Sequence, residues 1–296
     1  MNIEINYPPD FASTYGYSKP DIGPVLNLLD RDKARLEAVL AAARDYASAF
    51  ATIPYKDEDQ PGPFWRNGWF PPIDGIALYT YLSRRNPKIY LEVGSGNSTK
   101  FARKAIKDNH LRTKIISIDP QPRTEVEALV DVSVRSPLEK CDLGVFGGLE
   151  DNDVVLFDGS HRCFQNSDVT IFFLEVLPAL PARLLVGVHD IFLPRDYPPA
   201  WRERYYNEQY MLATYLIGAR DNLAVEFPAA YCARRYQSVV AELLPPAVVE
   251  AEISYMNFIA GTSFWFTKSR GAVAVGEAGP GVGGVGAPAP SAVSEA

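Results

Sequence analysis

The stretch "LEVGSGNSTKFA", Leu91 to Ala102, decides the fold. An apolar run, "KIYLEVG" (Lys88 to Gly94), reads as a buried strand that stops at a turn containing Gly94 and Gly96. A helix pattern starts at about Ser98 and puts Phe101, Ala102, Ala105 and Ile106 on one face. Glycines between a strand and a helix let backbone amides approach a ligand closely. Two familiar versions of this turn do not match. A dinucleotide fingerprint needs a third glycine where Thr99 stands, and a Walker A loop needs Gly-Lys-Ser/Thr, which is missing. Glu92 sits two residues before Gly94, where a pyrophosphate would meet an unwanted anion. An acid there suits a ligand with a positive charge or with donor groups.

The pattern repeats outward from this turn. "KIISID" (Lys114 to Asp119), "DVSVR", "DVVLFDG" (Asp153 to Gly159) and "RLLVGVHD" (Arg183 to Asp190) read as strands. "LAVEF" and "SFWFTK" complete the set. Between them, "RTEVEALV" reads as a short helix. "SDVTIFFLEVLPAL" reads as a helix that buries Val169, Phe172, Phe173, Val176 and Leu180. A long helix is expected over about Ala200 to Ala219. Apolar strands alternating with helices mean a mostly parallel sheet covered on both faces, with ligands beyond the carboxyl ends of its strands. Upstream, Asp30 to Ala51 is Ala/Leu-rich and helical, with Leu36, Val39, Leu40 and Ala43 as its stripe. A loop with large aromatics, "YKDEDQPGPFWRNGWFPPIDG", follows it. Either the loop packs on the body or it folds over a site, bringing Asn67 or Arg66. From Gly271 onward the chain is Gly, Ala, Pro and Val without a period, the composition of a disordered tail. The expected domains are a helical and loop extension over 1–64, a catalytic domain over 65–270 and the tail over 271–296.

Composition narrows the partners. The 296 residues carry a formal net charge of -7 and no long Lys/Arg run, which argues against nucleic acid. No stretch approaches a membrane span, and the N-terminus lacks the features of a secretory signal. Three cysteines, Cys141, Cys163 and Cys232, without CxxC spacing fit reduced thiols in a cytoplasmic protein. A small-molecule acceptor is the expected partner, and a homo-oligomer stays open.

S-adenosylmethionine answers the Glu92 question, since it carries an ammonium and a sulfonium and no phosphate. Asp119 ends the second strand, 23 residues past Gly96, near the ~20-residue spacing at which a carboxylate meets ribose hydroxyls. "YLEVGSGNST", "ISIDP" and "VVLFDGSH" resemble the motifs of class I S-adenosylmethionine-dependent methyltransferases over about Trp65 to Lys268. The resemblance implies a Rossmann-like, doubly wound α/β fold with a seven-stranded sheet in the order 3-2-1-4-5-7-6. The sheet is mostly parallel, with the last strand antiparallel. It implies a cofactor site of Glu92, Gly94, Ser95, Gly96, Asn97, Ser98, Asp119 and Asp158. Adenine would lie around Ser136 to Leu138. Ser98 and Thr99 replace glycines of some family members and can instead cap the following helix.

His161 and His189 both fall at carboxyl ends of neighbouring strands, next to Asp158 and Asp190, whereas His110 lies in a polar helix end. Asp158, His161 and His189 are therefore the catalytic candidates, with a histidine as general base for an acceptor hydroxyl. The site is locally similar to macrocin-type sugar O-methyltransferases. That likeness implies a divalent metal (Mg, Mn or Fe) on Asp158, His189 and Asp190. His189 stands where the pattern has an acid, which puts magnesium in doubt because hard cations prefer oxygen. Trp201, Tyr206 and Tyr210 offer an acceptor wall, although aromatics at helical spacing are more often core. The expected activity is O-methylation of a small acceptor such as a sugar or secondary metabolite. A nicotinamide-dependent oxidoreductase or a non-catalytic cofactor binder would be the alternative.

Overall fold

The computed structural model describes residues 12–57, 61–121, 127–256 and 259–268. Seven strands form one sheet: β1 (Ile89–Val93), β2 (Lys114–Ile118), β3 (Val132–Val134), β4 (Val154–Phe157), β5 (Leu185–Val188), β6 (Leu223–Pro228) and β7 (Phe264–Lys268). Their order is β3-β2-β1-β4-β5-β7-β6. The pairs from β3 through β5 are parallel, and β7 runs antiparallel to both β5 and β6. β1 and β4 lie side by side at the centre, and all four residues of β4 and of β5 are buried. The carboxyl ends of these three strands therefore converge on one crevice, where strand order reverses.

Helices α1 (Gly23–Arg31), α2 (Lys33–Ala43) and α3 (Ala47–Ala51) precede the sheet, followed by α4 (Pro72–Arg85) and α5 (Asn97–Asp108). The expected stripe of Leu36, Val39, Leu40 and Ala43 is buried on α2, and Phe101, Ala102, Ala105 and Ile106 are buried on α5. α4 falls in a region that the sequence presents partly as loop. Every residue from Pro72 to Leu82 is buried, so the segment has no polar face to give it a helical period. Downstream, α6 (Asp168–Ile171) continues through a π-helical turn (Phe172–Val176) into α7 (Leu177–Ala179), with the expected stripe inward. α8 (Glu208–Ala219), α9 (Ala229–Arg235), α10 (Gln237–Ala241) and α11 (Pro246–Met256) complete the chain.

The long helix expected from Ala200 is two pieces. A 3-10 turn over Pro199–Arg204 ends at Tyr205, whose φ is +56°, and α8 starts at Glu208. The break lets Asn207 turn toward the fourth strand's loop. Its side-chain oxygen accepts from the Cys163 amide at 2.6 Å, and its own amide donates to the His161 carbonyl at 3.0 Å. The helix expected over "RTEVEALV" lies mostly outside the described residues, leaving a 3-10 turn at Glu127–Leu129. The tail from Gly271 lies outside them as well.

Candidate active site

One side of the crevice is built by the glycine turn. Gly94 adopts φ +80°, and a Cβ there would stand 1.9 Å from the Asp158 carbonyl oxygen. Only glycine meets both constraints. Gly96 has open space where a Cβ would go. Ser95 donates from its amide to Asp119 Oδ2 at 2.7 Å and from its hydroxyl at 3.2 Å, while Gln121 N donates to Oδ1 at 2.7 Å. The turn at β1 and the acid at β2 are thereby locked together. A cavity of about 470 Å³ opens beside them, lined by Gly94, Ser95, Asp119, Leu138, Asp158 and His161 among others. That volume lies within the range of small-molecule sites. A smaller recess of about 40 Å³ continues past Gly96, Asn97 and Ser98 to Trp69 and Phe70.

Glu92 is placed differently from the expectation. It is fully buried and lines neither space. Its carboxylate accepts from the hydroxyls of Tyr90 and Ser98 at 2.9 Å each, and from Thr99. Thr99 Oγ1 in turn accepts from the Gly96 amide at 3.0 Å. Glu92 thus staples the turn to the first residues of α5 from behind, and Thr99 caps the helix as the sequence allows. Burial lifts its pKa to about 7, against the three hydroxyls that favour the anion.

The other side brings Asp158, His161, His189 and Asp190 together. His161 Nε2 lies 3.4 Å from Asp158 Oδ1 and 3.5 Å from Asp190 Oδ2. His189 Nδ1 lies 3.3 Å from Asp158 Oδ1 and 3.5 Å from Asp190 Oδ1. His161 and Asp190 both adopt left-handed backbone, φ +61° and +55°. Such conformations cost about 1–3 kcal/mol each and persist only where surrounding contacts impose them. His110 is exposed and takes no part.

Two further acids complete the cluster, and neither stood out in the sequence. Glu208 at the start of α8 is fully buried and places Oε1 3.3 Å from His161 Nδ1. Its Oε2 is buried without a hydrogen-bond partner. Asp74 in the first turn of α4, also fully buried, lies 3.3 Å from His189 Nε2. Asp74 additionally accepts from the amides of Thr262 and Ser263, tying α4 to the start of β7. Phe70 stacks on the His189 ring at 5.2 Å. An acid just after Pro-Pro is a helix-start signal and marks Asp74 locally, but nothing local links it to a histidine 115 residues away.

Charge in this cluster follows from burial and pairing. Burial depresses the His161 pKa, but Glu208, Asp190 and Asp158 outweigh it and raise it to about 9. His189 is likewise pushed well up by Asp158 and Asp190, against full burial. Burial raises Glu208 to about 7, opposed by His161.

Asp158, His189 and Asp190 meet as expected, yet the trio is not arranged as a metal centre. Among the described residues no group of three or more His, Cys, Asp or Glu is arranged to hold a metal ion. His189 has both ring nitrogens facing carboxylates, Asp74 at Nε2 and Asp158 and Asp190 at Nδ1, and these favour its protonated form over the neutral one a metal would need. The loop residues also differ from expectation. Asn67 spends its side chain on its own loop, bonding Phe64, Trp69 and Phe70 backbone groups, and Arg66 is exposed. Of the aromatic wall, Tyr206 lies over the His161 ring at 4.5 Å, whereas the Tyr210 hydroxyl is used by Asp196.

Residues 91–191, from the glycine turn to just past β5, match a family model described as a methyltransferase domain. The matched segment holds Asp119, Asp158, His161, His189 and Asp190, and the strand order with antiparallel β7 is the one that the resemblance implied. Residues 91–191 therefore resemble a methyltransferase domain in both sequence and strand order. A search of curated proteins by sequence returns no match. Among solved structures, the chain is similar to the methyltransferase PaMTH1 of Podospora anserina bound to S-adenosylhomocysteine. Identity is 17%, covering 67% of this chain and 89% of that one, with a TM-score of 0.38. It is similar to the O-methyltransferase TomG of Streptomyces achromogenes in complex with S-adenosylmethionine, at 14% identity over 83% and 98% of the two chains and a TM-score of 0.39. It is also similar to an O-methyltransferase of Bacillus cereus in complex with S-adenosylhomocysteine, at 12% identity over 83% and 100% and a TM-score of 0.37. No helix among the described residues is long and apolar enough to cross a membrane.

Proposed function

We propose that the chain methylates a hydroxyl of a small-molecule acceptor, with His161 as general base and Glu208 behind it. The observation that carries this reading is the convergence of a buried Glu–His pair on the cavity beside Asp119 and Asp158. Glu208 faces Nδ1 of His161, which leaves Nε2 turned toward the crevice. A carboxylate on one ring nitrogen fixes the tautomer and lets the other nitrogen take a proton.

S-adenosylmethionine fits the first side of the cavity and supplies a methyl group on a positively charged sulfur that leaves as a neutral thioether. Asp119 would hold the ribose hydroxyls, since its carboxylate is pinned at the cavity wall and keeps acceptor capacity beyond its two loop donors. The Gly94–Ser98 turn would cradle the amino-acid end, and Pro137 and Leu138 would flank the adenine. Asp158 reaches both sides and would favour the developing positive charge at the junction. The chemical step breaks the methyl–sulfur bond and forms a methyl–oxygen bond. The acceptor proton passes to Nε2 of His161, and the sulfur keeps the electron pair.

The protein's own residues supply most of this by positioning, because the methyl donor is already activated. No step is assigned to a metal, because the donor set at β4 and β5 does not fit one. His189 would instead contribute a positive charge between Asp74, Asp158 and Asp190, which favour its protonated form.

Calorimetry with S-adenosylhomocysteine tests the cofactor assignment, and transfer of labelled methyl groups to a panel of sugars and phenols tests the chemistry. Binding in the micromolar class and labelled ethers are expected. Binding of NAD in place of S-adenosylhomocysteine would replace this reading with an oxidoreductase.

A further inference from the structure

Beside the Glu–His pair stands a second group of charges that methyl transfer does not use. Arg162 follows His161 directly, and its guanidinium lies 5.1 Å from the centre of the Tyr206 ring. Arg204 lies 5.6 Å from the same ring and 3.8 Å from the Trp201 ring. Arg162 Nε donates to the Arg204 carbonyl at 3.0 Å, and Nη1 donates to the Ser160 carbonyl at 3.2 Å. The Arg162 guanidinium is thus held by two backbone carbonyls, while that of Arg204, an exposed residue, lies against the Trp201 ring. Neither is paired with a carboxylate among the described residues, and the neighbouring acid, Glu203, joins neither. Holding two like charges against one ring without an acid between them is unfavourable by itself.

Their position gives the arrangement a purpose. Tyr206 covers the His161 ring at 4.5 Å, and His161 and Ser160 line the main cavity. Both arginines therefore lie against the same ring, Tyr206, that covers the His161 ring. Around the two histidines stand Asp74, Asp158, Asp190 and Glu208, so acids surround the base and the two arginines form a basic edge one ring further out from His161. The break before α8 creates this edge, because Tyr205 in its left-handed conformation turns the chain between Arg204 and Tyr206.

We infer that Arg162 and Arg204 form an anion clamp for the acceptor. The acceptor carries a carboxylate or phosphate about one ring length from the hydroxyl that is methylated. Guanidinium forks recognise such groups through paired charge-assisted hydrogen bonds, and aromatic stacking pre-orients them. The inference rests on the methyl-transfer reading and names the class of substrate for that same site.

The test uses the full chain saturated with S-adenosylhomocysteine, so that the cofactor site is closed to other anions. Cofactor binding is measured first, and its failure would count against the methyl-transfer reading alone. Inorganic phosphate is then titrated by calorimetry at constant ionic strength. Saturable binding is expected, weakened roughly tenfold or more in Arg162→Gln/Arg204→Gln. Arg204→Lys keeps the charge without the fork and should lose only about threefold. Cofactor affinity and circular dichroism of the variants should match wild type. A second arm compares 4-hydroxybenzoate with 4-hydroxybenzyl alcohol, which present the same phenol with and without a carboxylate. The acid should bind about fivefold more tightly and displace phosphate. Absence of saturable phosphate binding, or equal binding in the double variant, overturns the clamp. Phosphate that the acid does not displace would mark a free-anion site and overturn the assignment to the acceptor.

Discussion

The two sides of the crevice are built in opposite ways. The β1–β2 side, proposed to hold the cofactor, is made of residues near one another in sequence: Glu92 and Thr99 are seven residues apart, Ser95 and Asp119 twenty-four. The β4–β5 side is assembled across the whole chain, with Glu208 47 residues from His161 and Asp74 115 residues from His189. The first side uses glycines and backbone amides, so its geometry follows from local chain conformation. The second uses buried side chains whose charges depend on one another, so its chemistry exists only after folding. One side should respond to mutation in affinity, and the other in rate.

The sharpest break of that division is His161→Ala. Loss of a general base typically costs about 10²–10⁴ in rate, and kcat should fall by that order. Affinity for S-adenosylhomocysteine, measured by calorimetry, should stay within about twofold, because the ring faces the acceptor rather than the ribose. The mirror experiment is Asp119→Ala. Losing charged hydrogen bonds worth about 1.5–3 kcal/mol should weaken S-adenosylmethionine and S-adenosylhomocysteine together, by roughly 10–100-fold. If His161→Ala lost cofactor affinity while Asp119→Ala lost only rate, the two sides would have been assigned the wrong way round.

Glu208→Gln comes next and probes the coupling inside the β4–β5 side. The amide keeps the shape but removes the charge that does most to raise His161. His161 works as a base only after losing its proton, so wild-type kcat/KM should climb with pH from 7 toward about 9. In the variant the midpoint of that climb should move to lower pH, and the plateau should fall roughly tenfold as the tautomer is no longer enforced. A variant whose plateau drops with an unmoved midpoint would leave Glu208 a packing residue.

The same contrast governs what could be read in the sequence. The strand order was legible because apolar strands and helices alternate with sharp polar stops. The placement of Asp119 beside the Gly94–Gly96 turn was legible because it is set by neighbouring strand ends. Asp158, His161, His189 and Asp190 were legible as strand-end residues, since β4 and β5 pair directly. Glu208 was hidden inside "RYYNEQY", where the break at Tyr205 reads as continuous helix. Asp74 and α4 were hidden because a fully buried helix shows no amphipathic period. Glu92 was read as facing a ligand, and in the structure its carboxylate is buried against Tyr90, Ser98 and Thr99: an acid beside a glycine turn looks the same from either face, and only burial distinguishes them.

Glu92 offers a smaller effect, on stability. Its folded pKa is about 7, against 4.5 when free. The folded state therefore keeps a proton that the unfolded state has lost between these values, so stability falls as pH rises from about 4.5 to 7 and stays lower above. At about 1.36 kcal/mol per unit the contribution is at most roughly 3 kcal/mol. Glu208, raised to about 7, acts in the same direction. His161 adds stability that is full below 6.5 and lost as pH rises through about 9. Glu92→Gln should therefore flatten the decline in Tm between pH 5 and 8, with its benefit over wild type largest at pH 8. Parallel Tm profiles for the two proteins would show that Glu92 carries no such proton.

Chelation should have the smallest effect of all, and for a reason that belongs to the comparison. If the β4–β5 side worked through a divalent ion, Asp158, His189 and Asp190 would have to offer it lone pairs at once. His189 Nδ1 would have to be unprotonated, yet Asp158 and Asp190 lie 3.3 and 3.5 Å from it and Asp74 lies 3.3 Å from Nε2. Three carboxylates around one ring favour its protonated form, which would supply positive charge to the cluster without an ion. Methyl transfer by protein freed of metal and assayed with a chelator should match untreated protein, and added Mg, Mn or Fe(II) should not raise it. His189→Gln should then lose activity that no metal restores, because the missing element is the imidazolium. Activity abolished by the chelator and recovered with one of these ions would mean that His189 gives up its proton on metal binding, and would return the site to the metal-assisted pattern of the enzymes it resembles.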